Sequence, residues 1–167
     1  MKTNLIRATA RVTACVLVAL TLLSCAVACG GGKKAGYVFK AGDVTVAVNT
    51  PAEATISKLG TPKNYGESPS CGEFDGTDKV YTYAGFRVYT EPGKSADVIN
   101  KIELTDDSVK TPEGVYVGMS AEDAKTTMKS ATPTERGESL VYAADGVELN
   151  FICRDGYVTS IQYIAKK

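Results

Sequence analysis

Thiols are the most reactive groups in this chain, and what stands around them decides what they can do. Cysteine occurs at positions 15, 25, 29, 71 and 153, while histidine is absent from all 167 residues. Without imidazole the chain lacks the usual general base, the usual zinc ligand and any triad built on either. No serine, lysine or cysteine has an activating base beside it in sequence, and Cys71 with Cys153 is too small a set for structural zinc. Residues 67–78, ESPSCGEFDGTD, carry Glu73, Asp75 and Asp78. Their spacing does not follow an EF-hand loop and no glutamate closes it, so they read as a solvated loop pinned by Cys71 and Phe74. The other carboxylates are scattered, and no pair stands out for hydrolysis. The expectation is a protein that is not an enzyme, with no catalytic residues, no metal and no cofactor.

The first thiols belong to a leader. Lys2, Arg7 and Arg11 precede an apolar run, and residues 14–32, ACVLVALTLLSCAVACGGG, end in small residues around cysteine, the layout of a secretory signal peptide. The run is short for a spanning helix and is broken by Thr13, Thr21 and Ser24, where about 20 apolar residues are needed. In detail it resembles a bacterial lipoprotein signal, cut just before a cysteine that carries a diacylglycerol thioether. Two cysteines compete for the lipid. Cys25 has Leu22 three residues before it, whereas Cys29 is followed by Gly30-Gly31-Gly32-Lys33-Lys34, a flexible tether that lets a domain hang clear of a membrane. Cys29 is the preferred site and Cys25 the alternative. This divides the chain into a signal peptide at 1–28, a tether at 29–36 and a mature domain beyond. Two acyl chains anchor durably where one does not, so the expected location is the extracytoplasmic face of the cell membrane.

Basic and acidic residues number 19 each in the full chain, and losing Lys2, Arg7 and Arg11 with the leader leaves the mature protein with an acidic excess of three. That balance argues against nucleic acid, which needs a basic face, and the charges are scattered along the chain. Export permits a disulfide, so Cys71 and Cys153 either form a bridge or remain two free thiols.

The mature region carries an internal repeat. Tyr83 matches Tyr142 and Ile102 matches Ile161 at an offset of 59, while Thr50 matches Ser120 at 70 and Pro62 matches Pro133 at 71. The jump is absorbed by a loop at 63–78, about ten residues longer than its counterpart at 134–139. In the first copy Val44, Val46 and Val48 alternate as a strand, then Thr50-Pro51-Ala52-Glu53 signals a helix start. Ser120-Ala121-Glu122-Asp123 does so in the second. Ala52, Ile56 and Leu59 share one helical face, as do Ala121, Ala124 and Met128. Asp145-Gly146 and Asp155-Gly156 separate three strands near 139–143, 147–153 and 157–164, and Ala84-Gly85 makes the corresponding turn in the first copy. Segments 39–44 and 106–113 read as irregular connections. The expected fold class is α+β: two tandem strand, helix and three-stranded meander units, at 37–110 and 111–167. Together they form one domain with the helices on one face of an antiparallel sheet.

Period-two alternation also assigns faces. Val98, Ile102 and Leu104 point to the core and Lys101 and Glu103 to water; Val147, Leu149, Phe151 and Cys153 point in, and Glu148, Asn150 and Ile152 point out. Tyr89 shares its face with Arg87, and tyrosine with arginine is a common pairing at interface hot spots. Arg87, Tyr89, Lys101, Glu103, Glu148 and Asn150 are therefore the candidate binding face. The other tyrosines and phenylalanines read as strand residues.

Three stretches, Asp78-Lys79-Val80-Tyr81-Thr82-Tyr83-Ala84-Gly85-Phe86, Ile102-Glu103-Leu104 and Thr111-Pro112-Glu113-Gly114-Val115-Tyr116-Val117-Gly118-Met119-Ser120, resemble small lipoproteins of anaerobic Gram-positive bacteria. In architecture the duplicated unit is similar to the β-lactamase inhibitor protein and the small outer-membrane assembly lipoprotein, although each unit here has one clear helix where those folds have two. The resemblance implies a module that grips a protein through an open sheet face. The alternative is an envelope structural or assembly lipoprotein without a dedicated ligand. Membrane attachment through the diacylglycerol anchor is common to both.

Overall fold

A computed structural model describes residues 36–129 and 131–166. The leader, both lipidation candidates Cys25 and Cys29, and nearly all of the tether lie outside the described residues. Within them the chain runs β1 (Phe39–Ala41), β2 (Val44–Val46), α1 (Ala52–Leu59), β3 (Asn64–Pro69), β4 (Thr77–Thr82), β5 (Phe86–Glu91) and β6 (Val98–Leu104). It continues through α2 (Ala121–Thr127), β7 (Thr134–Arg136), β8 (Ser139–Ala144), β9 (Val147–Arg154) and β10 (Tyr157–Ala165). β1 and β2 form a small hairpin; the other eight strands make one antiparallel sheet in the order β3-β4-β5-β6-β10-β9-β8-β7.

The expected α+β class, with two tandem helix-on-sheet units, is corrected by this architecture. The described residues are mostly β, 47% strand against 12% helix, and their dominant element is a single eight-stranded sheet. The reason lies in segments without an alternating apolar signal. The stretch 63–78, expected as a loop, contains β3, whose six residues NYGESP are all exposed, and 134–139 contains β7, exposed throughout. Both strands exist through their backbone ladders to β4 and β8. Residues 39–44, expected as an irregular connection, likewise hold β1 and the start of β2.

Local signals act as the residue types dictate. Asp145-Gly146 and Asp155-Gly156 have positive φ at both positions, 43° and 74°, then 53° and 79°, the geometry of tight hairpin turns. Ser120 caps α2 by accepting the Asp123 N–H at 3.1 Å. Thr50 does not cap α1: Pro51 occupies that position and the Thr50 hydroxyl donates to Ala47 O at 2.7 Å. The start of α1 is held instead by β6 and the residue before it, through Ala52 N–H to Asp97 O and Ile99 N–H to Thr50 O.

One face of the sheet is dry. Val88, Ile102, Leu104, Leu149, Phe151, Ile161 and Tyr163 are buried there together with Ala52 of α1, Ala124 of α2 and Phe39 of the small hairpin. Phe39 is fully buried, its ring 5.0 Å from Phe86 and 6.2 Å from Tyr163. A bulge corrects one expectation in β6. Tyr89 pairs with Lys101 but Thr90 pairs with Ile99, which leaves Asn100 as the extra residue. Alternation therefore slips by one, and Ile99 rather than Val98 enters the core.

The cysteines stay apart. Cys153 is buried on the core face of β9 and Cys71 is exposed between β3 and β4, both as free thiols. Four to five strand spacings separate them in the sheet order, about 20 Å at the usual repeat, and a disulfide needs Cα atoms within about 7 Å.

Candidate functional site

The sheet's other face carries the candidate residues, and strand register sorts them into two rows. One row runs across all eight strands: Asn64, Thr82, Arg87, Glu103, Gln162, Asn150, Val141 and Thr134 stand opposite one another in turn. The adjacent row passes through Val80, Tyr89, Lys101, Ile164, Glu148 and Ala143. All six residues expected from alternation fall in these two rows, Arg87, Glu103 and Asn150 in the first, Tyr89, Lys101 and Glu148 in the second. Directly opposed side chains lie about 5 Å apart at Cβ, so the rows are continuous surfaces.

Glu103 is the hub. Its carboxylate accepts from Tyr89 Oη at 2.6 Å, Gln162 Nε2 at 3.1 Å and Ser160 Oγ at 3.3 Å, and faces Arg87 at 3.5 Å. Only 15% of its side chain is exposed, so it does not simply face water. Burial pushes its carboxyl up, yet the hydrogen bonds from Tyr89 and Gln162 and the charges of Lys101 and Arg87 together outweigh burial and hold it below the usual glutamate value. Burial, and after it the bond to Glu103, raises the Tyr89 hydroxyl despite the opposing Arg87. Lys101 Nζ sits 3.7 Å from the centre of the Tyr89 ring, a cation–π contact that fixes both side chains.

A second carboxylate anchors the neighbouring strands. Glu148, 14% exposed, meets Arg136 at 3.3 Å and Lys166 at 3.6 Å. Between these two ionic centres lies a cleft of about 540 Å³ lined by Tyr89, Glu91, Asn100, Lys101, Glu148 and Lys166, with Ile164 of the same row as its apolar floor and Ala165 at its end. Asn100 reaches it because of the bulge; its Nδ2 donates to Glu91 at 3.3 Å, and its buried Oδ1 has no partner among the described residues.

Arg87, Tyr89, Lys101 and Glu103 thus form one connected network. Glu148 joins it through the cleft, whereas Asn150, between Gln162 and Val141, does not line the cleft. Sequence reasoning missed Gln162, Ile164, Arg136, Lys166 and Asn100. The first two were within reach, because they alternate with Ile161 and Tyr163. Asn100 depends on a bulge that no periodicity reveals. Chemically the cleft offers fixed charges of both signs, an aromatic ring and a small apolar floor, an arrangement suited to binding. No group of three metal-ligating side chains occurs among the described residues, and no helix in them is long and apolar enough to cross a membrane. Compared with protein-family models, curated proteins and solved structures, the chain matches none.

Proposed function

We propose that this protein is a lipid-anchored binding module on the extracytoplasmic face of the membrane, and that it takes a polypeptide partner on the sheet face opposite its core. The observation that supports this reading is the cleft between the Glu103 and Glu148 networks. Its aromatic and cationic side chains are held in place before any partner arrives, which lowers the entropy cost of binding. Charges of both signs around an apolar floor suit a protein surface, whose interfaces combine an apolar centre with a polar rim. The leader supports the anchor, with Cys29, or alternatively Cys25, as the thioether site.

The test uses the full-length chain in detergent-solubilised membranes, as wild type and as a Tyr89→Ala, Lys101→Glu variant. A stoichiometric partner retained by the wild type and lost from the variant is the expected result. Equal capture by both, or no partner at all, refutes the reading. Metabolic lipid labelling reports the anchor separately. It should vanish in Cys29→Ala; labelling lost only in Cys25→Ala moves the anchor there, and labelling insensitive to both removes it.

A further inference from the structure

The cleft between Glu103 and Glu148 presents its cations to a partner before its anions. The two carboxylate side chains are 15% and 14% exposed, whereas Arg87, Arg136 and Lys166, which pair with them, are 45%, 60% and 59% exposed. Each carboxylate is also shared. Glu148 meets both Arg136 and Lys166, and Glu103 meets Arg87 while the charge of Lys101 acts on it as well. Lys101 Nζ rests on the Tyr89 ring and has no ion-pair carboxylate among the described residues. Glu91, half-buried on the same wall, accepts from Asn100 Nδ2 at 3.3 Å. Four cations thus stand against three carboxylates around this cleft, on a chain whose mature form carries an acidic excess of three. The unbalanced positive charge is the part that faces outward.

We infer that the segment taken by this cleft is acidic: an extended stretch that lays an apolar side chain on Ile164 and its flanking carboxylates against Lys101 and Lys166. The inference rests on the reading of the cleft as a polypeptide-binding site and adds the chemistry of the occupant. Register supplies the spacing. Ile164 lies directly opposite Lys101 on one side and Glu148 on the other, so an apolar group seated on it has a cation about 5 Å away. Glu148 draws Lys166 to the same wall through their 3.6 Å contact. A carboxylate beside that apolar group therefore falls within reach of Lys101, whose ammonium breaks no ion pair to receive it.

Other occupants fit less well. A basic segment would meet protruding like charges first, and would reach Glu103 and Glu148 only by displacing Arg87, Arg136 and Lys166. An uncharged segment would leave the cation excess uncompensated. An anionic membrane surface offers the charge but no side chain to fill the hollow over Ile164, so a peptide is the favoured occupant. Because Tyr89 is tied to Glu103 and holds Lys101 in place, little ordering is needed when the partner arrives.

Fluorescence anisotropy with the full-length chain in a non-ionic detergent tests the inference. The probe is a glycine–serine peptide with a central leucine flanked by aspartates, labelled with an uncharged dye. Its companions replace both aspartates by asparagine, both by lysine, or the leucine by glycine. The aspartate and leucine peptide should bind most tightly, and more weakly as salt is raised. Lys101→Gln with Lys166→Gln should weaken it roughly 3- to 20-fold, while Lys58→Gln, an exposed cation of α1 on the other side of the sheet, should leave it unchanged. Circular dichroism shows that each variant is folded. Equal binding of any companion peptide, or indifference to the double lysine exchange, overturns the inference and leaves the polypeptide reading standing, since a peptide is still held. Binding to phosphatidylglycerol vesicles but to none of the peptides overturns it in favour of a membrane surface. Failure of every probe overturns it as well, and the capture of a partner from membranes then judges the polypeptide reading by itself.

Discussion

Replacing Glu103 by glutamine removes the charge at the centre of the network and leaves the shape of the side chain nearly unchanged. The amide oxygen can still accept from Gln162 and Ser160. What goes is the charge-assisted bond from Tyr89 Oη at 2.6 Å and the attraction of Arg87 at 3.5 Å. A hydrogen bond to a charged group contributes about 1.5–3 kcal/mol. Arg87 is 45% exposed, and solvent screening limits its share to well below about 1 kcal/mol. Glu103→Gln should therefore destabilise the fold by about 1.5–2.5 kcal/mol at neutral pH, lowering the urea midpoint by roughly 1 M with the slope unchanged. The pH dependence has a definite sign. The folded state holds the Glu103 carboxyl below its ordinary value of 4.5, so the stabilisation is complete above that value and disappears as pH falls through the folded-state pKa. The gap between wild type and Glu103→Gln should be constant from about pH 6 to 8 and close on acidification below about pH 4. Urea titrations of both proteins across that range measure it. A gap under about 0.5 kcal/mol at pH 7, or one that widens in acid, refutes the account of Glu103 as a charged hub.

Phe39→Ala should cost about 3–5 kcal/mol, because a fully buried ring between Phe86 and Tyr163 leaves a cavity; thermal unfolding would show it, and a loss under about 1 kcal/mol would place Phe39 outside the cooperative core. Gly85 has φ +78°, and an added methyl there would collide with the Ser108 hydroxyl and the Asp106 carboxylate, so Gly85→Ala should destabilise by about 1–3 kcal/mol, read by the same denaturation series. Cys71 should react with a thiol reagent without denaturant, whereas Cys153, buried and with its thiol pushed up by that burial, should react only on unfolding. Equal rates in Cys71→Ser and Cys153→Ser chains would contradict this.

Much of the site was legible because alternation works wherever one face of a strand is dry. Glu148, Asn150, Arg87 and Tyr89 follow directly from the apolar residues between them. Turn chemistry was equally readable at Asp145-Gly146 and Asp155-Gly156, where positive φ demands those residue types. What escaped had no local signature. β3 and β7 are exposed on both faces, so nothing in NYGESP or TER alternates, and their omission is why the chain reads as α+β when it is mostly β. The Asn100 bulge inverted the faces of Val98 and Ile99, since a single extra residue flips everything before it. The helix begins at Ala52, within the Thr50-Pro51-Ala52-Glu53 signal, but Thr50 is not its cap, because hydrogen bonds to Asp97 and Ile99 hold this end of the helix instead.

The sheet order also dictates a sequence of events in time. Among the described residues every ladder joins strands that are neighbours in the chain except one, β6 with β10, where Leu104 lies opposite Ile161. The local hairpins close short loops and can form within microseconds, but this ladder must wait for the last described strand and meet the entropy of the long intervening loop. Folding speed is therefore governed by the arrival of β10, as expected where a non-local contact completes the structure. Until then β6 is a raw edge. Lys101 and Glu103, which later belong to the polar network on the sheet's outer face, lie on that edge, and charge on an unpaired strand deters pairing with the wrong chain. The same side chains thus guard the nascent protein before they serve the finished one.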